Sequence, residues 1–146
     1  MSVGRICVRE VDVISPDESA QAAAQRMNSR KVGTLVVVDS RGLPIGIVTD
    51  RDLTVRVLAA GKDGATTPIS EVFRGPLKTV HEDTSVEETI RAMRAGPYRR
   101  LPVVGDRGEL VGLVSLDDVL ELVSEELASI GWLLEDEEPT VLGRSS

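Results

Sequence analysis

The chain has 146 residues, 41% hydrophobic and 28% charged but only 2% aromatic, with one each of Phe73, Tyr98 and Trp132. That balance describes an ordinary globular protein with a core of Val, Leu, Ile, Ala and Met, and it excludes a single-strand binder built on aromatic platforms. The net charge of −7 opposes nucleic acid and anionic membrane, and a single cysteine (Cys7) and a single histidine (His81) exclude an internal disulfide, a thiolate zinc cluster and most histidine chemistry.

No stretch approaches 18 apolar residues and no apolar leader opens the chain, so no membrane partner and a cytoplasmic location are expected. In chain order, a short extended piece, Val11 to Ile14, leads to a helix start at Ser19. Ala20, Ala23, Ala24 and Met27 then follow the i, i+3, i+4, i+7 stripe of a helix lying on a sheet. Two β-branched runs come next, at 35–38 and 45–48, joined as a hairpin through Asp39-Ser-Arg-Gly42. A second helix is predicted from Asp50 to Ala60. The stretch Gly61 to Pro76, rich in Gly, Thr and Pro, reads as a linker with a helical turn at 69–73.

The same order then begins again. Leu77 to Val80 is extended, and Ser85-Val-Glu-Glu88 has the form of a capping box opening a helix striped by Val86, Thr89, Ile90 and Met93. Runs at 101–104 and 110–114 are joined through Gly105-Asp-Arg-Gly108, and a last helix is predicted from Leu116 to Ile130. The acidic stretch from Glu135 to Ser146, with Pro139 and Gly143, is expected to be disordered.

A shift of 66 residues lays 13–53 over 79–119 without a gap, and eleven of the 41 pairs are identical. Chance would give about two or three. The chain is therefore a duplicated β-α-β-β-α unit. One such unit leaves a sheet face uncovered and is marginal alone, so an α/β fold is expected, with two units packed sheet to sheet about a pseudo-twofold axis. The expected divisions are 1–61, a linker 62–76, 77–134 and the tail 135–146.

Each unit ends in a glycine, a strand end, a hydroxyl residue and a carboxylate three places on: Gly46-Ile-Val-Thr49-Asp-Arg-Asp52 and Gly112-Leu-Val-Ser115-Leu-Asp-Asp118. Alone, this is a helix cap. A helix N-terminus is also an anion site, and a carboxylate there suits the hydroxyls of a ribose. With the repeat, the pattern resembles the cystathionine-β-synthase (CBS) domain, and two in tandem look like a Bateman module over about residues 4–130. The resemblance implies a regulatory fold that binds AMP, ADP, ATP, S-adenosylmethionine or NAD between the repeats and often forms homodimers. It also implies two clefts. In cleft one Thr49 and Asp52 would hold the ribose, facing Leu77, Lys78, Arg99 and Arg100. In cleft two Ser115 and Asp118 would face Val11, Asp12, Val32, Gly33 and Thr34.

The two clefts differ in charge. Arg51, Arg99, Arg100 and Lys78 gather around a phosphate position in cleft one, where a guanidinium fork matches phosphate oxygens. Cleft two has Gly33, Thr34 and Asp12 at the corresponding places. Cleft one is therefore expected to be the nucleotide-phosphate site, and cleft two to be empty, weak or filled by a less anionic ligand such as S-adenosylmethionine. Catalysis is not expected, because no base–nucleophile pair, metal cluster or phosphate-binding loop is present, although Asp50 and Asp52 suit Mg²⁺ beside phosphates. An adapter without a ligand is the alternative, and in either case output must pass through a homodimer or an unidentified effector. His81 reads as a surface loop residue and Cys7 as a small packing residue. Trp132 reads either as a cap on the core or as a subunit contact.

Overall fold

A computed structural model describes residues 1–73, 77–96 and 98–142, with side chains to Glu135. The last linker residues, 74–76, and the last tail residues, 143–146, lie outside the described residues. The molecule is built as two three-stranded sheets, each with two helices. In the first, β1 (Val13–Ile14) runs parallel to β2 (Thr34–Val38), and β2 pairs antiparallel with β3 (Pro44–Thr49). The second repeats this with β4 (Val80–His81), β5 (Arg100–Val104) and β6 (Leu110–Ser115). The leading strands are shorter than expected, two residues each, and His81 lies in β4 instead of a loop. Gly42 and Gly108 turn the two hairpins at φ 79° and 77°, a left-handed backbone that a side chain would strain.

Helix α1 (Ala20–Arg30) is capped by Ser19, whose Oγ accepts from the Ala22 N–H, and α3 (Val86–Ala95) by Ser85, which accepts from Glu88 N–H. The capping-box geometry expected at Ser85 reaches completion at Thr49–Asp52 instead, where both reciprocal bonds form. Helix α2 (Asp50–Leu53) runs on into a single π turn, Thr54–Leu58. Helix α4 spans Leu116–Leu142, past the expected end at Ile130 and through most of the tail expected to be disordered. The Leu- and Glu-rich stretch from Leu116 to Glu138 has high helix propensity, and the helix runs on past Pro139. At about 1.5 Å per residue it is roughly 40 Å long. No helix among the described residues is long and apolar enough to cross a membrane.

Ile14, Leu35, Val37 and Val48 build one core with Ala23 and Met27 of α1, and Val80, Leu101, Val103 and Val114 build the other with Met93 of α3. Val36, on the opposite face of β2 from Leu35 and Val37, is also fully buried, as sheet-to-sheet packing requires. Each core borrows a piece from elsewhere in the chain. A 3₁₀ turn at Val3–Arg5 belongs to the second core, with Val3 N–H bonded to Thr84 O at 2.8 Å and Gly4 N–H to Glu82 O at 2.9 Å. A matching turn at Ile69–Glu71 belongs to the first, with Ile69 N–H on Glu18 O and Ser70 N–H on Pro16 O, both at 2.8 Å. These bonds are related by the same 66-residue shift. By packing, residues 2–8 thus join the second unit and 67–73 the first, across the divisions drawn from sequence order.

Two predictions follow from the packing. Ile69→Ala, a buried truncation costing about 3 kcal/mol, is expected to speed hydrogen exchange in β2 and β3, whereas Val3→Ala speeds it in β5 and β6; the reverse pattern would refute the exchange of segments. Separately, the Arg26 guanidinium hydrogen-bonded to Glu18 holds that carboxyl below its ordinary value against partial burial, aided by Ser15 N–H. A depressed folded-state pKa gives stability that is present above the ordinary carboxyl value and lost as pH falls through the folded one. Glu18→Gln should therefore lower the melting temperature at neutral pH, with the gap to the parent closing under strong acid.

Candidate functional site

Strand alternation puts Leu113 and Ser115 on one face of β6, and the chain turns into α4 directly after Ser115. Ser115 N–H donates to Asp118 Oδ2 at 2.8 Å, and Asp118 N–H donates to Ser115 Oγ at 3.1 Å. This reciprocal cap fixes one carboxylate oxygen at the mouth of the helix. The other, Oδ1, has no hydrogen-bonded or ion-paired partner among the described residues.

A cavity of about 280 Å³ opens in front of this cap. It is walled by Val11, Asp12, Val32, Gly33 and Thr34 from the first unit and by Ser115 and Asp118 from the second. All seven residues expected in cleft two therefore meet around one space. Val8, Glu10 and Leu113 complete the wall and were not singled out from the sequence, although the period-2 alternation of Gly112-Leu-Val-Ser115 was sufficient to find Leu113. Gly33 brings β2 close to the start of α2: its carbonyl accepts from Asp50 N–H at 3.0 Å, and a Cβ there would lie 3.0 Å from the Asp50 carboxylate.

Arg100 also belongs to this wall. It lines this cavity, having been expected opposite Thr49 and Asp52. The reason is register: Arg100 is the direct cross-strand partner of Ser115, and with Leu101 turned into the second core, Arg100 faces the other way. Cleft two thus contains a guanidinium as well as the carboxylates of Glu10, Asp12 and Asp118. Asp12 is partly neutralised by Arg30, whose Nε lies 2.7 Å from its Oδ1. The cavity sets the apolar side chains of Val8, Val11, Val32 and Leu113 in one wall with the Asp118 carboxylate and the Arg100 guanidinium.

Thr49, Arg51, Asp52, Leu77, Lys78 and Arg99 do not line that cavity. Thr49 and Asp52 form the equivalent cap, with Thr49 N–H on Asp52 Oδ2 at 2.9 Å. Here the second carboxylate oxygen is engaged, with Arg56 Nε 3.8 Å from Asp52 Oδ1 while the same guanidinium donates to Val72 O. The position equivalent to Arg56 in the second unit is Leu122. Arg51, Lys78 and Arg99 are exposed and Leu77 is half-buried.

Two other clusters have structural explanations. His81 Nε2 lies 2.7 Å from Asp106 Oδ1 and its Nδ1 accepts from Asp83 N–H, so both ring nitrogens are occupied in tying β4 to the β5–β6 hairpin. The Cys7 side chain covers Gly112, where an added Cβ would lie 2.7 Å from its sulfur, as Phe73 covers Gly46. Burial pushes the Cys7 thiol up, away from the reactive thiolate.

Two related β-α-β-β-α units with a cavity between them and a capped carboxylate at its mouth place the chain in the class of duplicated two-unit modules. The model of the CBS domain matches the chain twice, at residues 3–59 and 69–125. The chain belongs to the CBS-domain family and carries two copies of the domain in tandem. It is 38% identical to the CBS domain-containing protein YhcV of Bacillus subtilis over 118 residues, covering 81% of this chain and 82% of that protein. An uncharacterised protein of Methanopyrus kandleri, MK0525, is 36% identical over 130 residues, 89% of this chain and 66% of its own length. Among solved structures, the CBS domain pair of protein MJ0100 in complex with 5′-methylthioadenosine and S-adenosyl-L-methionine matches with a TM-score of 0.76 at 26% identity, covering 86% of this chain and 98% of that one.

Proposed function

We propose that this tandem CBS module is a non-catalytic sensor that takes one adenosine-containing ligand into the cavity between its repeats. Its state would then pass to a second copy or an effector protein. The observation that carries the reading is the free Oδ1 of Asp118, held at a helix mouth opposite apolar walls and beside Arg100. A carboxylate in that position accepts from the two hydroxyls of a ribose, and the Val and Leu walls suit the faces of a purine. At about 280 Å³ the cavity is at the small end of ligand sites, which favours one nucleoside over a dinucleotide such as NAD.

AMP, ADP and ATP are the first candidates, because Arg100 is positioned to meet a phosphate. S-adenosylmethionine is the second reading. It is favoured by the Glu10 and Asp12 carboxylates in the same wall, which suit a sulfonium or ammonium, and by the ligands of the MJ0100 domain pair. Cleft one, at Thr49 and Asp52, is the weaker candidate because Arg56 already engages Asp52.

Calorimetric titration with AMP, ADP, ATP and S-adenosylmethionine tests the reading. One site per chain is expected, weakened at least tenfold by Asp118→Ala, since a hydrogen bond to a charged group is worth about 1.5–3 kcal/mol. Asp52→Ala should leave it nearly unchanged. Arg100→Ala should remove any preference for a phosphorylated ligand and spare S-adenosylmethionine. Loss with Asp52→Ala alone would move the site to cleft one, and no heat with any ligand would leave the adapter reading in its place.

A further inference from the structure

Helix α4 outgrows the core it serves. Val119 is buried in the second core and Leu116 packs against it, but from Val123 to Glu135 every side chain is exposed. At 1.5 Å per residue that is about 20 Å of helix beyond its last packed turn. A surface helix confines its apolar residues to the stripe that faces a core. Here the stripe goes on where the core has stopped. Leu120, Val123, Leu127 (63% exposed), Ile130 (53%) and Leu134 (63%) follow one another at intervals of three and four, forming an exposed ridge. That is the 3.5-residue repeat of a coiled-coil seam, which keeps one face turned to a partner helix along its whole length.

The ridge is set in a strongly acidic surface. Residues 116–142 hold nine acidic residues and no lysine or arginine. Helical spacing puts Asp117 and Glu126 on either side of the apolar stripe and Glu121 and Glu125 on the far side. The apolar repeat calls for a helix against this face, and the charge decides which kind. A second α4 would set nine acidic residues against nine with no base on either side. A helix with the same three-and-four apolar spacing, and Lys or Arg beside it, fits the ridge and neutralises its rim.

We infer that the ridge of α4 is a docking site for a basic amphipathic helix of another protein, seated as the second strand of a short coiled coil. This gives the effector a surface and a chemistry. It rests on the sensor reading only for what the contact reports, and its test reads peptide binding without any nucleotide, so its failure is separate from that of the ligand reading.

The test is fluorescence anisotropy with two labelled synthetic helices of about three heptads. They share one Leu/Ile seam and differ only at the flanking positions, lysine in one and glutamate in the other. The lysine peptide is expected to bind one per chain and to weaken as salt rises, and the glutamate peptide not to bind. Leu127→Gln, an exposed change to another good helix former, should weaken the lysine peptide by about tenfold, as loss of a central apolar anchor does. Trp132→Ala, on the opposite side of the helix, should leave it unchanged. Equal binding of both peptides, or of neither, would overturn the proposal, as would a Leu127→Gln chain that binds like the parent. A dimer of the unmodified chain that Leu127→Gln splits into monomers in sedimentation would overturn it too, by giving the ridge to a second copy.

Discussion

The reciprocal loan of Val3 to the second core and Ile69 to the first is the constraint on which the rest of this structure depends. Each loan is fixed by backbone hydrogen bonds and by a side chain, Cys7 or Phe73, laid over a strand glycine that has no room for a Cβ. Having bonded Val8 to Leu113 of the second unit, the chain must cross back to begin β1 at Val13 in the first. Glu10, Val11 and Asp12 are that crossing, and they form a wall of the cavity. The cavity is therefore a by-product of how the two cores are tied together.

Much of this was legible in the sequence because it is local. Hydroxyl caps at Ser19, Thr49, Ser85 and Ser115, turn glycines at 42 and 108, and stripes ending in Met27 and Met93 act over a few residues, and they recur at a fixed interval. Seven residues of the cavity wall followed from the family pattern laid on that interval. The loan of segments was not legible, since an apolar turn such as Val3–Arg5 fits either core and only three-dimensional proximity decides. The place of Arg100 in this wall was not legible for a similar reason. Arg100 opens β5, and the side it faces depends on where the strand begins, which the Arg99-Arg100 pair alone does not show.

The two halves of the duplication have diverged at few positions, each with a distinct physical effect. Arg56 bridges Asp52 to the Val72 carbonyl and so spends the first carboxylate on holding the borrowed segment in place. Leu122, at the same place in the second unit, offers no such bond and leaves Asp118 with an oxygen to share. The two caps are built from the same four-residue pattern, yet one carboxylate is paired with Arg56 and the other has no ion-paired partner among the described residues. Symmetry of backbone does not carry over into symmetry of side-chain pairing.

Helix α4 joins the two features that distinguish the second unit. Ser115 caps its first turn and Asp118 lies within it, while Leu127, Ile130 and Leu134 line its far half. A helix transmits displacement along its axis because its own hydrogen bonds resist shear. A ligand that drew in Asp118 would therefore act on the same helix that presents the exposed apolar residues of its far half. Thermodynamic linkage then makes the coupling reciprocal: a contact on the ridge that favours one tilt of α4 changes the affinity of the cleft by the same factor. The magnitude depends on how differently the ligand binds the two tilts and not on how tightly it binds either.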